Sequence, residues 1–200
     1  MKLSEGVKLQ GRPAIIQDCP REDLPEFLVS QGYKVGAEIG VYKGAFTARF
    51  LQAGLRMFAI DPWMPFTGQG RSQHKQEVQD EIFAIAHSNL MPWLETGQCK
   101  ILMATSMEAV QGFGPSDLDF VYIDGCHEFP NVAQDIYEWN KIVRPGGVMS
   151  GHDYFNTPPH ASNVLCHAKA VVDAYAGLYQ IETWWLFGNP RYYSWMWIKK

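Results

Sequence analysis

The chain has 200 residues, 46% of them hydrophobic and 19% charged, which supplies a core for one ordinary domain and excludes global disorder. Its net charge is −4 with no basic run, so neither a nucleic acid nor, in the absence of a long apolar stretch or leader, a membrane is an expected partner. Cys19, Cys99, Cys126 and Cys166 are scattered without a C-x-x-C pair, which predicts reduced thiols in a cytoplasmic protein rather than a zinc cluster.

Residues 1–33 read as a helical preamble in which Pro20 and Pro25 bracket a short helix ending near Ser30, ahead of a core at 34–198 within one domain. A regular alternation follows. Lys34–Ile39 predicts a strand, Gly44–Ala53 a helix closed by Gly54, and Met57–Ile60 a second strand stopped by Asp61-Pro62. Residues 61–74 form a polar, glycine-containing loop, with a candidate lid at 64–75 around Gly68 and Gly70. The apolar spacing over Gln76–Leu90 is helical, and Pro92 is expected to end it. Lys100–Met103, Leu118–Ile123 and Val148–Gly151 predict three further strands, with a helix at Val132–Ile142. Leu118–Ile123 is almost continuously apolar, as buried parallel strands are. Asn163–Ala176 predicts the last helix, and Ile181–Phe187 with Tyr193–Ile198 an antiparallel pair.

Strands alternating with helices predict an α/β, Rossmann-like, doubly wound and mostly parallel sheet. Ligands of such sheets sit beyond the carboxyl ends of the strands, so the residues after each strand carry the functional reading. After the first strand stands Gly36-Ala37-Glu38-Ile39-Gly40-Val41-Tyr42-Lys43-Gly44. Glu38 replaces the middle glycine of a dinucleotide fingerprint. A carboxylate there repels a pyrophosphate and suits a cationic ligand such as S-adenosylmethionine, which carries an ammonium and a sulfonium. Gly40 and Tyr42 line the loop, and Gly44 is expected to let the next helix pack close to the strand. Asp61, after the second strand, suits two ribose hydroxyls; Trp63 suits the adenine face and Ser106 its edge.

Asp124, His127, His152 and Asp153 follow neighbouring strands and are expected to converge. His127 suits a general base, since imidazole titrates near neutrality. Three of them also have a purely structural reading: Asp124 and Asp153 as caps, His152 as a buried histidine bonded to a carbonyl. Asp135 is expected on the helix surface or as a support, and Lys43, Arg49 and His87 as solvated side chains.

The run AEIGVYKGAFTARFL resembles motif I of class I S-adenosylmethionine-dependent methyltransferases, and FAIDPW resembles their second motif. DFVYIDGCHEFPNVAQDIYEWNKIVRPGGVMSGHDY is similar to the small-molecule O-methyltransferase branch that includes macrocin-type sugar methyltransferases. The resemblance spans roughly 34–198 and implies a seven-stranded sheet with a reversed last strand. It implies methyl transfer to a hydroxyl of a small polar acceptor such as a sugar, with Trp63, Tyr154 and Phe155 as an aromatic wall. It also implies a divalent metal (Mg, Mn, Fe or Zn) on Asp124, His152 and Asp153; the histidine, where the family usually has a carboxylate, turns preference away from magnesium. The rival readings are a nicotinamide-dependent oxidoreductase, a catalytically silent cofactor-binding subunit and a non-haem iron oxygenase; a homodimer is compatible with any of them.

Overall fold

The computed structural model describes residues 1–65, 75–157 and 165–200. Its centre is β5 (Leu118–Ile123), whose alternate side chains enter two different cores: Phe120 and Tyr122 on one face of the sheet, Val121 and Ile123 on the other. Burial on both faces is the reason the segment shows no polar alternation. On one side of β5 lies β2 (Val35–Ile39), followed outward by β3 (Arg56–Ile60) and β4 (Cys99–Leu102). On the other lies β6 (Val143–Gly151), then β8 (Tyr192–Ile198) and β7 (Trp185–Asn189). Every pairing is parallel except those of β8, which runs antiparallel to both neighbours.

Seven strands and a reversed last one match the sequence expectation. An eighth does not: β1 (Ala14–Ile15), inside the supposed helical preamble, pairs with β7 and extends the sheet edge. Two residues are too few for a periodicity to register, so no local pattern announces it. The preamble also holds α1 (Leu3–Gly6) and the expected helix, α2 (Asp23–Ser30), with Pro25 inside its first turn.

Helices cover both faces. α2, α3 (Ala45–Gln52) and α4 (Gln76–Leu94) pack on one core through Leu24, Phe27, Phe50 and Leu90. α6 (Phe129–Ile142) and α7 (Ala168–Leu178) pack on the other through Ile136, Trp139 and Val172. A short α5 (Ser106–Ala109), capped by Thr105 and Glu108, follows β4 and runs into a 3-10 turn at Val110–Gly112.

Three boundaries differ from the sequence reading. α4 continues through Pro92, because Trp93 and Leu94 beyond it pack against the first core and hold the last turn despite the missing N–H. β6 starts at Val143, five residues before Val148, through the register irregularity opposite Leu118 and Phe120. α7 begins only at Ala168: Thr157 and Cys166 exchange hydrogen bonds that keep the chain ahead of it non-helical. Residues 163 and 164 of the expected helix lie outside the described residues. Among those described, no helix is long and apolar enough to cross a membrane.

The strand order reverses between β2 and β5, which are neighbours in the sheet although β3 and β4 lie between them in the chain. The carboxyl ends of β2, β3, β5 and β6 therefore open onto one rim at the switch point where doubly wound sheets bind ligands.

Candidate functional site

The loop from β2 to α3 passes through three left-handed residues: Gly40 (φ 88°), Tyr42 (φ 53°) and Gly44 (φ 75°). A Cβ on Gly40 would lie 2.4 Å from the Asp124 carbonyl oxygen, so this glycine lets the rims of β2 and β5 meet. Gly44 makes room for a different partner from the one expected. Its nearest neighbour is the Leu90 side chain of α4, 3.1 Å from an added Cβ, rather than the strand.

Asp61 staples this loop. One carboxylate oxygen accepts the N–H groups of Val41 (3.0 Å) and Tyr42 (2.9 Å), and the other accepts that of Trp63 (2.9 Å). Burial raises its pKa while these three amides oppose the rise. Trp63 is buried, edge-on to Phe83, and its indole N–H donates to the Tyr42 carbonyl at 2.9 Å. It braces the loop from within instead of offering a face to a ligand. The exposed ring is Tyr42, at 58%. Asp61→Asn leaves one side-chain acceptor oxygen for three donors and turns an NH2 toward one of them. It is expected to cost about 1–3 kcal/mol, a fall in melting temperature of about 3–10 °C. An unchanged melting temperature would show that the loop is held by something else.

Glu38 and Ser106 also point inward. Glu38 is buried and accepts a short hydrogen bond from Thr47 of α3. Burial pushes its pKa to about 8, with the Thr47 hydroxyl pulling the other way. It thus ties β2 to α3 and presents no exposed carboxylate. The native state keeps this proton up to about pH 8, whereas an unfolded glutamate loses it near 4.5. Stability is therefore expected to fall as pH rises between those values, by an amount on the order of a few kcal/mol. Glu38→Gln should flatten that slope in urea titrations at pH 5 and pH 8; an unaltered slope would reject the assignment. The Ser106 hydroxyl donates a short bond to Asp135 and accepts the Trp139 indole N–H at 2.8 Å, so it is engaged inside the protein. Asp135 is correspondingly not a surface residue. It is 4% exposed, and burial lifts its pKa to about 6.

At the rims of β5 and β6 the expected cluster forms. Single ligand atoms of Asp124, His152 and Asp153 all lie within 4.8 Å of one another. His152 Nδ1 is 3.1 Å from Asp153 and 3.8 Å from Asp124. His127, buried, places Nε2 at 3.0 Å from Asp153 and 3.6 Å from Asp124. Burial opposes a charge on that imidazole, but the two carboxylates outweigh it and raise its pKa to about 9. The same pairing, against the effect of burial, holds Asp153 well below the usual carboxylate range. Asp153 adopts φ 53°, a backbone conformation uncommon for any residue with a Cβ and often found where a side chain is aimed for function.

One further expectation is corrected. Tyr154 is buried with its hydroxyl donating to Asp173 at 2.5 Å, and Phe155 stands edge-on to Tyr192, so with Trp63 turned inward no such wall forms. The proposed lid at 64–75 lies, for residues 66–74, outside the described residues. One side chain went unanticipated. Arg21, from the preamble, brings Nη1 to 3.7 Å from Asp124 with its guanidinium 4.6 Å above the Phe46 ring. A cleft of about 620 Å³ runs along β3 and β4 past Phe58 and Leu102, but it holds none of these rim residues, so side-chain chemistry rather than cavity size locates the site.

Residues 37–154, which contain the loop and the cluster, match the family model described as a methyltransferase domain. Solved structures share the fold. An O-methyltransferase from Bacillus cereus in complex with SAH aligns with a TM-score of 0.61 and 17% identity, over 88% of this chain and 77% of that one. A cofactor-bound protein from MTB, Rv0187, aligns at 0.60 and 14% identity, over 90% and 79%. An O-methyltransferase family protein from Burkholderia thailandensis aligns at 0.59 and 13%, over 90% and 59%. No curated protein matches the sequence.

Proposed function

The chain belongs to the methyltransferase-domain family, and from that premise we propose that it transfers the methyl group of S-adenosylmethionine to a hydroxyl of a small polar acceptor, such as a sugar. The observation that carries this reading is the gathering of Asp124, His152 and Asp153 beside the Gly40 loop, at the switch point of the sheet. The rim fits the donor: carboxylates for a ligand bearing an ammonium and a sulfonium. A pyrophosphate finds no such match, which leaves the nicotinamide reading without support.

Two carboxylates and an imidazole also fit a divalent cation. Mixed nitrogen and oxygen donors favour manganese, iron or zinc over magnesium. Asp124, His152 and Asp153 would hold the ion, which when bound lowers the pKa of an acceptor hydroxyl. The donor's methyl is already activated by its sulfonium, so the protein's task is alignment and proton removal. Asp61 fixes the loop under the donor by its three amide bonds. Tyr42, the exposed ring of that loop, borders the donor in place of Trp63.

The base role expected of His127 needs a vacant nitrogen facing the acceptor. Its Nε2 instead lies between Asp153 and Asp124. We assign it to holding the two carboxylates in place and give the acceptor's proton to the Asp124 carboxylate, which is more accessible than His127. A cytoplasmic setting accords with the separated cysteines. The test offers labelled methyl donor with sugars, catechols, hydroxy acids and RNA, with and without chelator. Label in small hydroxylated acceptors, lost in chelator and restored by manganese, iron or zinc, is expected. Label mainly in RNA or protein would reject the acceptor class, and full activity in chelator would reject the metal.

A further inference from the structure

The family match begins at residue 37, yet the preamble before it sends a charged side chain into the site. Its position is built by the edge of the sheet. β1 pairs with β7, and the Gly188 N–H donates to the Cys19 carbonyl at 2.7 Å, which sets Arg21 above the carboxyl rim. There the Arg21 Cβ is 3.7 Å from the point where a Cβ on Gly188 would stand, and its guanidinium lies over Phe46, the second residue of α3. Among the described residues, Arg21 is the Lys or Arg within ion-pair distance of the rim carboxylates.

The charges around it are unbalanced in a telling way. Asp124 and Asp153 supply negative groups for a cationic ligand, but the methyl donor is zwitterionic at its amino-acid end. Its α-carboxylate is its one anionic group and needs a cation. Arg21 carries five N–H donors and a charge that is fixed at any ordinary pH. Its ion-pair contacts, 3.7 Å to Asp124 and 3.8 Å to Glu22, are longer than charge-assisted hydrogen bonds, and its further partner, the Tyr122 hydroxyl, occupies only part of a five-donor fork. The side chain is about one-third exposed and so remains reachable.

We propose that Arg21 binds the α-carboxylate of the methyl donor, so that the preamble completes the cofactor site from outside the methyltransferase core. The inference rests on the donor assignment made above. In this arrangement Arg21 serves the amino-acid end of the donor, while Asp124 beside it keeps its place at the acceptor. The ion pair between them keeps the guanidinium poised when no donor is bound.

Calorimetry with two ligands tests it without turnover. S-adenosylhomocysteine keeps both the ammonium and the carboxylate; its decarboxylated analogue, 5′-S-(3-aminopropyl)-5′-thioadenosine, keeps the ammonium alone. Arg21→Met should weaken S-adenosylhomocysteine about 10- to 100-fold and the analogue by no more than about threefold, while Arg21→Lys should recover part of the loss. Retained affinity for the analogue also shows that the variant is folded. Equal losses for both ligands would mean that Arg21 acts only through Asp124 or the fold, and no loss for either would mean that it does not touch the donor; each overturns the inference. If the wild-type protein binds neither ligand, the donor assignment itself falls.

Discussion

Asp124→Asn is expected to reduce methyl transfer by about three orders of magnitude, within the range seen when a group that manages a proton in the transition state is removed. The expectation follows from how many functions meet at this carboxylate. It stands 3.7 Å from Arg21, 3.6 Å from His127 and 3.8 Å from His152, and it is one of the three residues able to share a cation. An amide keeps the size but loses the charge, so proton uptake and metal affinity are lost together while the Asp124 N–H still donates to the Ile39 carbonyl. The fold should therefore survive, as near-ultraviolet circular dichroism can verify. The decisive measurement is kcat under saturating acceptor and donor, with the metal content of the variant determined in parallel. A variant within tenfold of wild type would remove Asp124 from the chemistry. A variant with normal metal content and lost kcat would separate its proton role from its ligand role.

Gly40→Ala is expected to give the largest loss of stability among single changes around the site. The backbone at φ 88° is unfavourable for any residue with a Cβ, and the added carbon would lie 2.4 Å from the Asp124 carbonyl oxygen and 2.5 Å from the Gly125 Cα. Both contacts are backbone, so no rotamer change relieves them. Left-handed strain and overpacking together amount to about 2–5 kcal/mol, a fall in melting temperature of about 5–20 °C for a chain of this size. The same change forces the rims of β2 and β5 apart and displaces Asp124, so activity at low temperature should fall as well. Calorimetric scans of the variant beside Asp61→Asn would rank the two supports of the loop. A Gly40→Ala protein that melts within 2 °C of wild type would mean that the rims need not touch.

Much of the architecture was legible in the residues alone because it depends on short-range pattern. The near-continuous apolar run at Leu118–Ile123 and the helical spacing after Gln76 reflect periodicities of two to four residues, which a sequence displays directly. Parallel topology then brings the residues after each strand to one rim, so Asp124, His152 and Asp153 could be grouped before any contact was seen. What the tertiary structure decided is which way each of those side chains faces and what it meets. Positive φ angles turn Tyr42 outward and Trp63 inward. Glu38 and Ser106 stand at the expected strand ends but are engaged by Thr47, Asp135 and Trp139, partners on other elements. The two-residue β1 and the approach of Arg21 to Asp124 arise from the docking of a sheet edge far along the chain. Such contacts join residues of large sequence separation, and their geometry is set by the packing of whole elements, which no local pattern of residues encodes.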